Sequence, residues 1–155
     1  MTHPRRLLFC AALVTLVACA SAVPAHADLI GVRAGFYTKI DDPFIGAELI
    51  IPIDRRHEID LNPNVEYVFV DNTTYMTFNF DAHVDLYGHH RAFAWLGAGL
   101  GVIYIDPKGP RPSTTDVGAN LLAGVGLRGD VIPYIQAKVI VKDDTEFVIG
   151  FGLRF

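Results

Sequence analysis

The chain has 155 residues, of which 51% are hydrophobic and 19% are charged, and its formal net charge is −4. This length allows one domain at most once any targeting segment is removed. The acidic balance argues against nucleic-acid binding, because a nucleic-acid-binding domain needs a basic surface.

Residues 1–27 have the features of a bacterial secretory signal peptide. Two arginines at 5–6 form a charged start, the apolar run over 7–20 follows, and an Ala-x-Ala cleavage site ends at Ala27. The apolar run is too short to span a bilayer comfortably as a helix. We therefore predict cleavage after Ala27 and one exported domain over 28–155.

A second processing site is possible at Cys19. Residues 16–19 resemble a bacterial lipobox, which would make Cys19 a lipidated N-terminus. The strand pattern starts at Leu29, close behind the leader, and this favours cleavage after Ala27. Either way the exported domain has no cysteine for disulfide or thiolate chemistry. Its 11 basic and 17 acidic residues give a net charge of −6.

Eight segments of the exported domain alternate between apolar and polar side chains, and none keeps a 3.6-residue period. Each has about ten residues, the length that a tilted strand needs to cross a hydrocarbon core. The longest connection is predicted at 106–116. The predicted strands are 29–39, 44–53, 58–70, 75–87, 92–105, 115–127, 131–142 and 146–155.

The two faces of these strands differ in chemistry. In the fourth segment Met76, Phe78 and Phe80 share one face, while Asn79 and Asp81 lie on the other. Across all eight segments the apolar set contains no charged residue. A charge-free apolar belt around a closed sheet suits lipid. A soluble barrel or sandwich, the alternative interpretation, instead turns its polar face to water.

The pattern therefore predicts an all-β fold, an eight-stranded antiparallel up-and-down transmembrane β-barrel. Proline is tolerated where ladder hydrogen bonds end, and three prolines are predicted at one rim: Pro52, Pro63 and Pro133. An aromatic girdle is predicted at the opposite rim: Phe36, Phe69, Tyr104 and Phe147.

The sequence resembles the small outer-membrane β-barrel superfamily, which includes OmpA/OmpX-type and opacity-type proteins. The resemblance covers nearly all of 29–155, and its most specific element is the last strand. Members close with a polar-x-Gly-x-x-apolar-x-aromatic pattern that is read by the barrel assembly machinery. Gly150, Leu153 and Phe155 fill the glycine, apolar and aromatic positions, whereas Val148 stands where a polar residue is usual.

The resemblance implies a bacterial outer-membrane location and no particular activity. It implies the barrel assembly machinery as a partner, with Gly150, Leu153 and Phe155 as the assembly signal. The expected surroundings are outer-membrane lipids and lipopolysaccharide. No nucleic-acid partner is expected, and the sequence leaves the oligomeric state open.

The inward set predicts a polar network in the lumen. Opposed charges in a narrow barrel should pair, because an unpaired buried charge is expensive. An eight-stranded barrel is just wide enough for side chains to fill it. The favoured interpretation is a salt-bridged, largely plugged lumen, and the alternative is a narrow channel for ions or small solutes. The predicted luminal network is Arg33, Glu48, Glu66, Asp81, His83, Asn120, Lys138 and Arg154.

Glycines on the inward face thin one wall of the predicted lumen: Gly97, Gly99, Gly101, Gly118, Gly124, Gly126, Gly150 and Gly152. Large aromatic side chains are predicted to fill the resulting space: Trp95, Tyr37, Tyr134 and Phe44.

Catalytic chemistry has little support. The exported domain has one serine, Ser113, in the longest loop, and His83 lies mid-strand and far from it. A serine nucleophile and its base must be within hydrogen-bond reach, so a lipid-modifying enzyme is less favoured and no catalytic residue is predicted. We expect His83 to be an ordinary hydrogen-bonded luminal histidine.

Two groups of residues could in principle bind a metal ion. His57, His89 and His90 fall on neighbouring turns, but adjacent arginines repel a cation. An acidic rim can attract Ca²⁺ or Mg²⁺, although ordinary solvation is favoured for it: Asp41, Asp42, Asp143, Asp144 and Glu146. No metal and no cofactor are predicted.

Overall fold

The computed structural model describes residues 29–54, 58–86 and 91–155. They form one closed barrel in which consecutive strands are hydrogen-bonded neighbours and β8 pairs back onto β1. Every pairing is antiparallel. The strands are β1 Leu29–Tyr37, β2 Asp42–Pro52, β3 Ile59–Val68, β4 Thr73–Leu86, β5 Ala92–Pro107, β6 Thr114–Leu127, β7 Ile132–Val141 and β8 Glu146–Arg154.

The predicted eight-stranded up-and-down architecture is therefore confirmed. The predicted signal peptide and the alternative site at Cys19 lie outside the described residues. Within the described part of the chain, no helix is long and apolar enough to span a membrane.

The barrel has two rims. The loop rim carries the turns 38–41, 69–72, 108–113 and 142–145, and the terminal rim is where β1 begins and β8 ends. The connection predicted at 106–116 is shorter than expected. Ile105 pairs with Thr114, so the β5–β6 ladder continues into the predicted loop and leaves 108–113 as the turn.

The alternation of the sequence is reproduced as two faces. Large apolar side chains of the outward set are exposed, for example Leu100, Ile135 and Phe151 at 61% each. The buried charged residues of the strands all belong to the inward set: Arg33, Glu48, Glu66, Asp81, Lys138, Glu146 and Arg154. An exposed apolar face around a closed barrel with a buried charged interior is the distribution that suits lipid.

The rim features agree with the prediction except at one proline. Pro52 ends β2 and Pro133 lies at the start of β7, both at the terminal rim. Pro63, in contrast, lies inside β3, so its predicted place at the rim is wrong. Since proline has no N–H, the β2–β3 ladder is interrupted between Glu48–Asn64 and Ile51–Leu61, and it omits Leu49 and Ile50 on β2 and Asn62 and Pro63 on β3. The Leu49 carbonyl instead accepts a hydrogen bond from Asn62 Nδ2 at 2.9 Å.

Two apolar clusters lie inside the barrel, one near each rim. The loop-end cluster is Tyr37, Phe44, Val68, Tyr75, Ile103, Ile140 and Val148. The terminal-end cluster is Phe93, Trp95, Leu122 and Tyr134. Polar side chains occupy the lumen between them.

Candidate functional site: the luminal polar network

All eight residues of the predicted luminal network are buried in the barrel interior. Their exposed fractions range from 0% for Glu66 and Asp81 to 4% for Arg33 and Arg154. All eight side chains therefore lie on the inward face of their strands. The structure adds further buried polar residues: Asn62, Asn64, Thr77, Asn79, Gln136 and Glu146.

Glu66 is the most heavily contacted carboxylate. Lys138 Nζ donates to its two oxygens at 2.9 and 2.8 Å, and Arg33 Nη2 lies 3.2 Å from Oε1. Thr77 Oγ1 donates to Oε2 at 3.0 Å, and the Tyr37 hydroxyl donates to the same oxygen. Two cations and two hydroxyls thus satisfy a carboxylate that has no contact with solvent, which is the condition for burying such a charge.

Tyr37 was predicted only as a space-filling aromatic, and its hydroxyl contact with Glu66 was missed. The sequence signal was its inward position at the end of β1, on the same face as Arg33. That position does not reveal which luminal group lies within reach.

Glu48 forms a second carboxylate centre. It accepts from Arg154 Nε at 2.9 Å and from Asn62 Nδ2 at 3.0 Å, and Arg33 Nη1 lies 3.6 Å from its Oε2. Arg33 therefore bridges the Glu66 and Glu48 centres.

A chain of asparagine amides runs across the lumen from β6 to β3. Asn120 Nδ2 donates to Asn79 at 3.0 Å, Asn79 to Asn64 at 2.9 Å, and Asn64 to Asn62 at 3.2 Å. Asp81 is held by the same amides, at 2.8 Å from Asn120 and 3.0 Å from Asn64. No cation hydrogen-bonds Asp81 among the described residues; amide donors take that role.

Arg154 and Trp95 organise the terminal end of the lumen. The Arg154 guanidinium lies 4.8 Å from the Trp95 ring centre and 4.4 Å from that of Tyr134. His83 stacks on Trp95 with centroids 6.0 Å apart and an interplanar angle of 25°. Trp95 Nε1 donates weakly to Gln136 Oε1 at 3.4 Å.

Hydrogen bonding is incomplete in this region. Buried nitrogens without a hydrogen-bond partner occur on four side chains: Arg33, His83, Gln136 and Arg154. The expectation that His83 is simply hydrogen-bonded is therefore wrong at Nε2, and aromatic stacking positions this ring. Such unpaired groups cost free energy unless water reaches them.

The inward glycines provide room for the large side chains. A Cβ added to Gly97 would lie 2.6 Å from Leu122 Cδ1, and one on Gly126 would lie 2.8 Å from Phe93 Cε1. Added Cβ atoms at Gly124 and Gly152 would collide with Trp95 and Tyr134. The aromatic rings therefore pack directly on the backbone of the glycine wall.

The other candidates are not assembled into sites. His57, His89 and His90 lie outside the described residues. In 29–54, 58–86 and 91–155, no three His, Cys, Asp or Glu side chains are arranged to hold a metal ion. Ser113 precedes β6 at the loop rim, whereas His83 pairs with Gly97 in the terminal half.

The acidic rim instead binds Lys39. The Lys39 backbone N–H donates to Glu146 Oε1 at 2.7 Å, and Lys39 Nζ lies 2.9 Å from Asp144 Oδ1. The hydrogen bond and the positive charge of Lys39 lower the pKa of Asp144 below its ordinary value.

The chain is similar to known proteins in its fold. No protein-family model matches the chain, and no curated protein matches it. The chain is similar to the N-terminal β-barrel domain of Pseudomonas aeruginosa OprF, with a TM-score of 0.70 at 14% identity. That match covers 82% of this chain and 94% of the OprF domain.

Two further outer-membrane barrels are similar. Neisserial surface protein A gives a TM-score of 0.58 at 15% identity, covering 81% of this chain and 94% of that protein. The outer membrane enzyme PagL gives 0.55 at 12% identity, covering 82% and 98%. The chain thus has the fold of small outer-membrane barrels, and one of the similar barrels, PagL, is an enzyme.

Proposed function

We propose that this protein is an integral β-barrel of the bacterial outer membrane with a structural or surface-interaction role and a closed, ion-paired lumen. The observation that carries this proposal is the pairing of a charge-free outer face with a buried ionic interior. Glu66, at 0% exposure, has Lys138 and Arg33 as cationic partners. A membrane explains the first feature, and a filled lumen explains the second.

The partners follow from this location. Outer-membrane lipids and lipopolysaccharide surround the apolar face. Leu153 and Phe155 of the predicted assembly signal are 40% and 54% exposed on that face, while Gly150 faces inward. Outward apolar side chains at the end of β8 are accessible to the barrel assembly machinery.

Location is tested by membrane fractionation and by gel mobility with and without boiling. The expected result is an outer-membrane protein whose folded and boiled forms migrate differently, because closed barrels resist detergent unfolding. A soluble periplasmic product would contradict the proposal.

The assembly signal is tested with Phe155→Ala. We expect lower outer-membrane levels of this variant, with Phe69→Ala as the matched control that removes an outward aromatic elsewhere. Normal levels of Phe155→Ala, or an equal loss in both variants, would argue against a specific role for Phe155.

The closed lumen is tested by conductance in planar bilayers. The wild-type protein should give a trace indistinguishable from lipid alone. A channel-forming porin reconstituted in the same bilayers serves as the positive control. Wild-type channels would replace the closed-lumen proposal with the alternative.

That alternative is a narrow channel for ions or small solutes. One observation favours it: the unpartnered nitrogens of Arg33, Gln136 and Arg154 are groups that water can satisfy. The loop-end cluster, including Tyr37 and Phe44, argues against a continuous water path through the barrel, because its apolar side chains fill the lumen near the loop rim. An enzymatic role has no support from the separated Ser113 and His83.

A further inference from the structure

β8 presents an unusual luminal face. Its inward positions are Glu146, Val148, Gly150, Gly152 and Arg154. The two charged residues stand at the two ends of the strand, and the middle carries only one small apolar side chain and two glycines. Polar side-chain contacts of β8 within the lumen are therefore confined to its ends.

The middle of β8 accommodates side chains that belong to other strands. A Cβ added to Gly150 would lie 3.4 Å from Phe44 Cζ and 3.8 Å from Arg33 Nη2. Tyr134 occupies the space above Gly152. The strand can therefore approach or leave the packed lumen without moving a large side chain through it.

Arg154 is the exception at the terminal rim. Its guanidinium reaches Glu48 on β2, Trp95 on β5 and Tyr134 on β7, at 2.9, 4.8 and 4.4 Å respectively. Two of these strands, β2 and β5, are not neighbours of β8. These contacts exist together only when β8 has closed the barrel against β1.

The backbone hydrogen bonds between β1 and β8, the β1–β8 seam, run to the terminal rim beside Arg154. The β1–β8 pairing extends from Gly31 opposite Arg154 to Tyr37 opposite Val148. Beyond it, Ile30 and Phe155 exchange two backbone hydrogen bonds at 3.2 and 2.9 Å.

We propose that Arg154 is a closure latch, a positioning residue that holds β8 against β1 and makes the terminal end of the β1–β8 seam stable. When β8 pairs with β1, the Arg154 side chain also contacts three other strands, β2, β5 and β7. Without it, the β1–β8 seam opens at the terminal rim before the other seams do.

Arginine suits this role better than lysine. Its planar guanidinium donates to Glu48 while it stacks on Trp95 and Tyr134, and it remains charged. A lysine has a compact ammonium that cannot make the same combination of contacts. Arg154→Lys should therefore retain only part of the latch.

The test is backbone hydrogen exchange measured by NMR in the folded full chain in lipid nanodiscs. The reporters are the amides of Ile30 and Phe155, which bond across the β1–β8 seam. The matched control is the Arg128 amide, which donates to the Arg91 carbonyl at 2.7 Å across the β5–β6 seam at the same rim. Local opening speeds exchange only where it occurs.

In Arg154→Met we expect Ile30 and Phe155 to exchange about tenfold faster or more, with the Arg128 amide within about twofold of wild type, because one partner of a buried ion pair is lost. Lys138→Met also removes one buried cation, but its partner Glu66 lies on β3 and away from this seam. That variant should not accelerate exchange selectively at Ile30 and Phe155.

Two results would overturn the proposal. Unchanged exchange at Ile30 and Phe155 in Arg154→Met would show that the seam needs no latch. Equal acceleration at the Arg128 amide would show a merely general loss of stability.

If Arg154→Met does not fold, Glu48→Gln decides, because it keeps the guanidinium and its aromatic contacts. Selective acceleration at Ile30 and Phe155 in Glu48→Gln supports the latch. Uniform acceleration, or none, overturns it.

Discussion

Buried polar and charged side chains are stabilised differently in the half of the lumen near the loop rim and in the half near the terminal rim. In the loop half, Glu66 is surrounded by donors and capped by the loop-end cluster. In the terminal half, Arg154, His83 and Gln136 keep buried nitrogens without partners and rely on the aromatic rings around Trp95. The same alternation of residues thus produces a carboxylate whose contacts are complete, although its partner Arg33 keeps a buried Nε and Nη1 without hydrogen-bond partners, and an aromatic cluster in which most of the polar nitrogens lack partners.

The two halves should therefore differ in how strongly a substitution destabilises the barrel. Removing one member of a fully paired buried ion pair lowers the free energy of unfolding strongly, because the remaining charge stays buried without its partner. Removing a side chain with an unpaired buried nitrogen should lower the free energy of unfolding less, because its hydrogen bonding is already incomplete. Substitutions in the loop half should therefore be more damaging than those in the terminal half, apart from the latch.

The largest effect is expected for Lys138→Met. It leaves Glu66 buried with only Arg33 as a cationic partner and should lower the free energy of unfolding by about 3–5 kcal/mol. Urea unfolding in detergent, followed by the mobility shift on gels, measures this. Adding Glu66→Gln should recover part of the loss, and a Lys138→Met variant as stable as wild type would remove the distinction between the two halves.

A smaller effect is expected from Gly124→Ala in the terminal half. The added Cβ collides with the Trp95 ring, and overpacking should cost about 1–3 kcal/mol. Gly150→Ala is the matched control, since its Cβ would meet Phe44 at an ordinary 3.4 Å. Equal unfolding midpoints for the two variants would show that the aromatic cluster is loosely packed.

His83→Phe should change stability still less, within about 1 kcal/mol in either direction. Phenylalanine keeps a ring beside Trp95 and removes the unpartnered Nε2. Thr77→Val, which deletes a 3.0 Å hydrogen bond to Glu66, is the comparison in the loop half and should be the more destabilising. The reverse order of unfolding midpoints would contradict the comparison.

The smallest effect is expected at the loop rim, from Asp144 and Lys39. The pKa of Asp144 is lowered in the folded protein from its ordinary value of 3.8 by the Lys39 ammonium. The contribution of the Asp144–Lys39 pair to the stability of the fold is therefore complete above the ordinary pKa of Asp144. This contribution is lost as the pH falls through the lowered pKa of the folded protein. Thermal unfolding of wild type and Asp144→Asn should converge at acid pH, and a difference that grows on acidification would be incompatible with this sign.

Much of the fold was predictable because alternation is a local property. A strand turns successive side chains to opposite faces, so the inward positions of Arg33, Glu48 and Lys138 followed from their neighbours in sequence. The aromatic side chains at Trp95 and Tyr134 were likewise placed correctly. Their packing on inward glycines follows from the need to fill a narrow lumen.

The contacts within the lumen were not predictable in the same way. Lys138 and Glu66 are 72 positions apart in the chain, and Arg154 and Glu48 are 106 apart. The register of every strand between them decides whether they meet. Pro63 shows the same limit, because its place inside β3 depends on an amide of Asn62 that substitutes for the missing ladder bond.

The sequence by itself determined which side chains face outward and which face the lumen, since a two-residue period needs no knowledge of the rest of the chain. Only the tertiary structure decided which cation meets which carboxylate. Closure of the β1–β8 seam brings Arg154 to Glu48, Trp95 and Tyr134. Pairing across a lumen depends on the tilt and register of all eight strands, and these exist only in the closed barrel.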